Sequence, residues 1–133
     1  MKTAVDTSVI LDVVTGDPQW ADVSEAALSE AFELGALVIC DCVLAEITPV
    51  FTDQNLERFL EDWQILYLPV SQEAAIHAGR MYENYLGRSG GAKRVLPDFL
   101  IGAHALETTV RLLARDRGYY RDYFSGLEVI EPQ

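Results

Sequence analysis

Acidic side chains stand in this chain at the places where a parallel sheet would gather them. Asp6 directly follows the apolar run Thr-Ala-Val, and Asp116 comes just past Val110–Ala114. Glu46 lies in the segment after Ala36–Cys40, and Asp98 follows Pro97 at the start of another apolar stretch. In open α/β sheets, sites form beyond the carboxyl ends of the strands. Taken singly, each acid has a structural reading. Asp6 can cap a helix, Asp98 suits the first turn of one, Asp116 suits a turn before Arg117-Gly118, and Glu46 can reach solvent. At about 100° per residue Glu46 stands about 300° around from Val43, at the margin of an apolar stripe. Carboxylates crowded at one sheet end repel each other unless a cation neutralises them. An all-oxygen donor set suits a hard ion such as Mg²⁺ or Mn²⁺.

Other chemistries find less support. The basic stretch Arg88–Arg94 lacks the spacing of a phosphate-binding P-loop, and no G-x-S-x-G elbow is present. His77 and His104 are the only imidazoles. His104 lies about 240° around its helix from Asp98, away from that pocket. Cys40 and Cys42 are too few for a disulfide framework or a four-ligand zinc site. They point the same way on a strand and read as small hydrophobes. Tyr119, Tyr120, Tyr123 and Phe124 read as a packing cluster.

The elements that must hold the acids follow from periodicity. Strands are expected at 3–5, 36–40, 65–70, 110–114 and 127–130. Between them, Thr7 or Ser8 caps a helix that Gly16 stops, and Asp17-Pro18 opens a second, ending at Gly35. A third carries Val43 and Ile47, and Pro49 kinks or ends it. Thr52 precedes a fourth, with Leu56, Phe59, Leu60 and Trp63 on one face. Ser71 starts a long helix with a stripe of Ala75, Ala78, Tyr82 and Leu86. Arg88–Arg94 reads as a loop, and Pro97-Asp98 opens a helix to about Glu107, where small Gly102 and Ala105 allow close packing on a sheet. Strands alternating with helices indicate a three-layer α/β fold with a mainly parallel central sheet flanked by helices.

The 133 residues make one domain, 1–133. Half are hydrophobic, which excludes disorder, and no apolar run is long enough to span a membrane. Asp6 and Asp12 interrupt the N-terminal apolar stretch, unlike a secretory signal, so a cytoplasmic location is expected. The net charge of −11 is uneven: residues 1–79 carry two basic and fourteen acidic side chains, residues 80–133 eight and seven. The second part leaves an anionic partner open despite the overall acidity.

Four segments together resemble PIN-domain ribonucleases, and more narrowly the VapC toxins of toxin–antitoxin pairs. They are V-D-T-S-V at the start, A-E-I around Glu46, P-D-F-L-I-G-A-H-A and A-R-D-R-G-Y-Y-R-D-Y-F. The resemblance implies a PIN-like fold and an acidic quartet of Asp6, Glu46, Asp98 and Asp116 that binds Mg²⁺ or Mn²⁺ for phosphodiester hydrolysis. Asp6 and Asp98 match the direct metal ligands, and Ser8 a hydroxyl that supports the site. Ala114 stands where many relatives have Thr. The resemblance further implies an RNA substrate, a cognate VapB-type antitoxin and a homodimer. Lys93, Arg94, Arg115 and Arg117, close in sequence to Asp98 and Asp116, are the expected RNA contacts, with ion pairing to acids such as Asp122 the alternative for Arg115 and Arg117.

Two rivals stand beside this reading. A receiver-type signalling domain shares the architecture but normally has two acids after its first strand, a phosphoacceptor Asp near mid-chain and a Lys after its last long strand. Here Asp116 follows V-R-L-L-A-R, and no suitable Lys follows Asp98. A catalytically silent PIN-like binding module is expected to lose one or more of the four acids, and all are retained.

Overall fold

The computed structural model describes residues 1–89, 95–115 and 118–133. Five short strands, β1 (Thr3–Val5), β2 (Leu37–Ile39), β3 (Leu66–Tyr67), β4 (Arg111–Leu113) and β5 (Glu128–Ile130), form one sheet in the order β3-β2-β1-β4-β5. Every pairing is parallel, with Ala4 opposite both Val38 and Leu112. The chain builds outward from β1 to β3, then returns to lay β4 on the other side of β1. The sheet therefore reverses direction between β1 and β4, where such folds open a crevice.

Helices α1 (Thr7–Thr15), α2 (Ala21–Leu34), α3 (Asp41–Ile47) and α4 (Asp53–Asp62) connect β1 to β3, while α5 (Gln72–Ser89) and α6 (Leu96–Thr108) connect β3 to β4. Right-handed crossovers in opposite directions put these two groups on opposite faces, which makes three layers. Helix α3 packs against both α1 and α6. The apolar centre strands are fully buried, as a sheet covered on both faces requires.

Several local expectations shift. Asp6, rather than Thr7 or Ser8, caps α1, its side chain accepting from the Ser8 N–H. Helix α2 begins at Ala21, because the Asp17 carboxylate accepts from the N–H groups of Gln19 and Trp20 and holds Pro18 in a preceding turn. Pro49 ends α3 in a short 3₁₀ turn, Thr48–Val50. The third strand shrinks to two exposed residues at the sheet edge. Helix α5 buries Ala74, Ala78 and Tyr85 and leaves Ala75 and Leu86 exposed. The rings of Tyr82 and Tyr85 set that rotation by packing 5.2 and 5.5 Å from Phe99 on α6. Arg88 and Ser89 belong to α5. The rest of that proposed loop, 90–94, lies outside the described residues.

A short helix that periodicity does not predict, α7 (Tyr119–Tyr123), follows β4. Tyr119 and Tyr123 stack their edges around Phe99, so the packing reading of this aromatic cluster holds. Gly102 makes room for Phe124 rather than for the sheet: a Cβ there would lie 2.4 Å from the Phe124 ring. Gly35 likewise admits the Met1 carbonyl, 1.8 Å from where its Cβ would stand.

Candidate active site

At the reversal between β1 and β4, the ends of three helices converge. Asp6 leaves β1, and its N–H donates to the Leu113 carbonyl of β4 at 2.9 Å, fixing the backbone at the start of α1. Its carboxylate is buried, 8% exposed, yet satisfied. Oδ2 accepts from the Ser8 N–H at 3.1 Å and from the Ser8 hydroxyl, and Oδ1 accepts from the Tyr120 hydroxyl at 3.0 Å. Because α3 packs on both α1 and α6, it carries Glu46 toward this point. Glu46 is exposed, and its Oε1 accepts from the Thr7 hydroxyl at 2.8 Å. Asp98 sits in the first turn of α6, where Oδ2 faces the Val95 N–H at 3.4 Å and its own N–H donates to the Val95 carbonyl.

These three acids line one cavity of about 340 Å³ with Thr7, Ser8, Leu11, Arg115 and Tyr120. The structure thus brings together Asp6, Glu46, Asp98 and Ser8, drawn from three helices far apart in sequence. Asp116, Lys93, Arg94 and Arg117 lie outside the described residues. Burial raises the Tyr120 hydroxyl well above its ordinary pKa, and the negative charges of Asp6 and Asp98 add to the shift. The phenol therefore stays protonated and acts as a donor.

Arg115 reaches the cavity wall already engaged. Its Nε and Nη2 donate to Asp12 Oδ2 and Oδ1, both at 2.9 Å, and the guanidinium lies 4.8 Å from the Trp20 ring centre. Asp12 also accepts from the Ser24 hydroxyl at 2.7 Å. The pairing alternative thus holds for Arg115, with Asp12 in place of Asp122.

Sequence reasoning missed Thr7 as a support for Glu46, Tyr120 as a partner of Asp6, and Asp12 as the partner of Arg115. Thr7 had a signal, being the residue beside Asp6. Tyr120 and Asp12 had none, because their contacts span 114 and 103 residues.

A divalent ion suits this donor set: three acids line one cavity, and the one cation among its described lining residues, Arg115, is already paired with Asp12. The three carboxylates do not crowd within 4.8 Å of one another. Mg²⁺ commonly binds through one or two carboxylates and keeps several waters, so that spacing is compatible with it. A separate group, Cys40, Asp41 and Cys42, does bring its ligating atoms within 4.8 Å. Burial, with Cys40, Asp41 and Glu46 nearby, pushes the Cys42 thiol up to about 12, and burial also raises Cys40. Both are thiols at neutral pH, but Cys40 lies just before α3 and Cys42 within it, so they do not share a strand as the sequence suggests.

Among known proteins, the family model of the PIN domain matches residues 3–124. The fold is similar to that of VapBC2 from Rickettsia felis, solved bound to a DNA fragment from its promoter, with a TM-score of 0.72 and 16% identity over 100% of both chains. DNA-bound VapBC from Salmonella typhimurium gives 0.68 at 18% identity, over 100% of this chain and 99% of that one. FitAcB from Neisseria gonorrhoeae gives 0.65 at 19% identity, over 98% and 97%. No curated protein sequence matches the chain. Among the described residues, no helix is long and apolar enough to cross a membrane.

Proposed function

The chain belongs to the PIN domain family, and on that premise we propose that it is a metal-dependent endoribonuclease, the toxin of a type II toxin–antitoxin pair. The observation that carries this reading is the convergence of Asp6, Glu46 and Asp98 on one cavity at the sheet reversal. Asp116 is proposed as the fourth acid of the quartet.

Asp6 and Asp98 are the residues that would hold Mg²⁺ or Mn²⁺, with Glu46 and Asp116 completing the acidic environment. When bound, the ion supplies charge neutralisation at the scissile phosphate and a water of lowered pKa. Ser8 holds Asp6 in place from the first turn of α1. Glu46 is held at Oε1 by Thr7, which leaves Oε2 to accept a hydrogen bond or a proton from the attacking water. Lys93, Arg94 and Arg117 are proposed to meet the RNA backbone.

A cognate VapB-type antitoxin, a homodimer and a cytoplasmic location complete the proposal. The antitoxin is supported by the fold shared with VapBC and FitAcB complexes. Co-purification with the product of an adjacent small reading frame would test it.

Asp98→Asn tests the nuclease reading. It keeps the shape and capping ability of the side chain but removes one charge from a proposed metal ligand. Mg²⁺- or Mn²⁺-dependent RNA cleavage is expected to fall at least about 100-fold, because several kcal/mol of transition-state stabilisation depend on the ion. The thermal midpoint without metal should hold or rise, since repulsion among the acids is relieved. Full metal-dependent cleavage by this variant would remove Asp98 from the mechanism.

A further inference from the structure

We propose that Tyr120 is a positioning residue: with Ser8, it leaves the Asp6 carboxylate one open acceptor position, on Oδ1, so that Asp6 binds a divalent cation at a single point. The inference rests on the metal-nuclease reading and specifies how one of its ligands is presented.

The argument is a count of acceptor positions. Each carboxylate oxygen offers about two lone-pair directions. On Asp6 Oδ2 both are taken, by the N–H and the hydroxyl of Ser8. On Oδ1 one is taken, by the Tyr120 hydroxyl at 3.0 Å. Among the described residues nothing else bonds to the Asp6 carboxylate, so Oδ1 keeps one position, and the side chain lines the cavity shared with Asp98 and Glu46.

The Tyr120 hydroxyl cannot readily swing away. The residue is 2% exposed, its ring lies edge-on to Tyr119 at 4.9 Å, and α7 is pinned in turn by Tyr119 and Tyr123 against Phe99. A carboxylate held at both oxygens has lost its rotational freedom before any ion arrives. Partners of this kind, bonded to a ligand rather than to the metal, typically control affinity or activity by about 10–100-fold.

Tyr120→Phe removes one oxygen and keeps the ring. The experiment titrates the full-length wild type, Tyr120→Phe and Ser8→Ala with Mn²⁺ alone, reading free Mn²⁺ by electron paramagnetic resonance. Metal-free thermal melts and the Mn²⁺ dependence of RNA cleavage accompany it. Tyr120→Phe is expected to melt cooperatively, to bind Mn²⁺ about 10–100-fold more weakly, and to recover cleavage at saturating Mn²⁺. Ser8→Ala, which removes the hydroxyl bond to Oδ2 but keeps the backbone N–H bond and leaves Tyr120 untouched, should weaken Mn²⁺ binding about tenfold. Affinity within twofold of wild type in either variant overturns the proposal. A wild type that takes up no Mn²⁺ overturns the metal-nuclease reading itself, and this inference with it.

Discussion

His104 is buried to 2% exposure on α6, and its Nε2 has no hydrogen-bond partner among the described residues. Burial lowers its pKa below the ordinary 6.5; a backbone hydrogen bond at Leu68 and the charges of Asp41 and Glu107 oppose the shift without cancelling it. Above pH 6.5 the ring is neutral in both folded and unfolded chains, so it contributes no pH dependence. Below 6.5 the unfolded chain takes up a proton that the folded one refuses. Stability is therefore lost as pH falls from 6.5 toward the folded pKa, by at most about 1.4 kcal/mol per pH unit for this one group. Urea melts at pH 7.5 and 5.5 should show this loss in the wild type and less of it in His104→Gln. The same variant should keep metal-dependent cleavage once stability is allowed for, because His104 does not line the acidic cavity. Abolished cleavage in the folded variant would instead place an imidazole in the chemistry.

Helix α1 carries two carboxylates with separate jobs. Asp6 at its cap faces the cavity, while Asp12, near its other end, accepts the Arg115 fork and the Ser24 hydroxyl. That ion pair ties α1 to the segment leaving β4, and the Asp12 side chain is only 4% exposed against 33% for Arg115. The asymmetry predicts unequal costs. Arg115→Ala strands a buried carboxylate and should cost about 2–4 kcal/mol. Asp12→Ala leaves a guanidinium that can turn toward solvent and a Ser24 hydroxyl short of an acceptor, costing about 1–2 kcal/mol. Chemical denaturation of the two variants checks the order. An Arg115→Ala protein as stable as wild type would mean that the pair does not hold these elements together.

At the scale of the whole molecule, four cations of the less acidic part form ion pairs among the described residues. Arg111 pairs with Glu128, Arg115 with Asp12, Arg121 with Glu131 and Arg80 with Glu83. Arg111 also donates to the Thr3 hydroxyl at 3.2 Å and so bridges strands β1, β4 and β5. The proposed RNA contacts, Lys93, Arg94 and Arg117, rest on their closeness in sequence to Asp98 and Asp116. In a cleavage-dead Asp98→Asn background, Lys93→Ala and Arg117→Ala should each weaken RNA binding and flatten its log–log salt slope by about 0.7 per lost phosphate contact. Unchanged affinity and slope in both variants would exclude a basic rim made of these residues and leave the acidic site untouched.

The order of elements and the acids at their ends were legible in the sequence because their causes are local. Apolar runs of strand length, glycine stops after α1 and α2, and the placement of Asp6, Glu46 and Asp98 beside those runs need no knowledge of the rest of the chain. The three-layer parallel fold follows from their alternation. Long-range pairing decided the rest. The face α5 buries is set by Tyr82 and Tyr85 meeting Phe99, which moves the stripe off Ala75 and Leu86. The short helix α7, too brief to show a period, exists where its aromatic rings find the same Phe99. Arg-Asp-Arg beside an acidic site leaves Arg115 open to either an RNA contact or an ion pair; only the fold brings Asp12 within 2.9 Å of it. Tyr120 likewise looked like one aromatic among several until the sheet reversal set its hydroxyl on Asp6. Local composition determines which groups are available to a site, while contacts between distant segments determine which of them are already occupied.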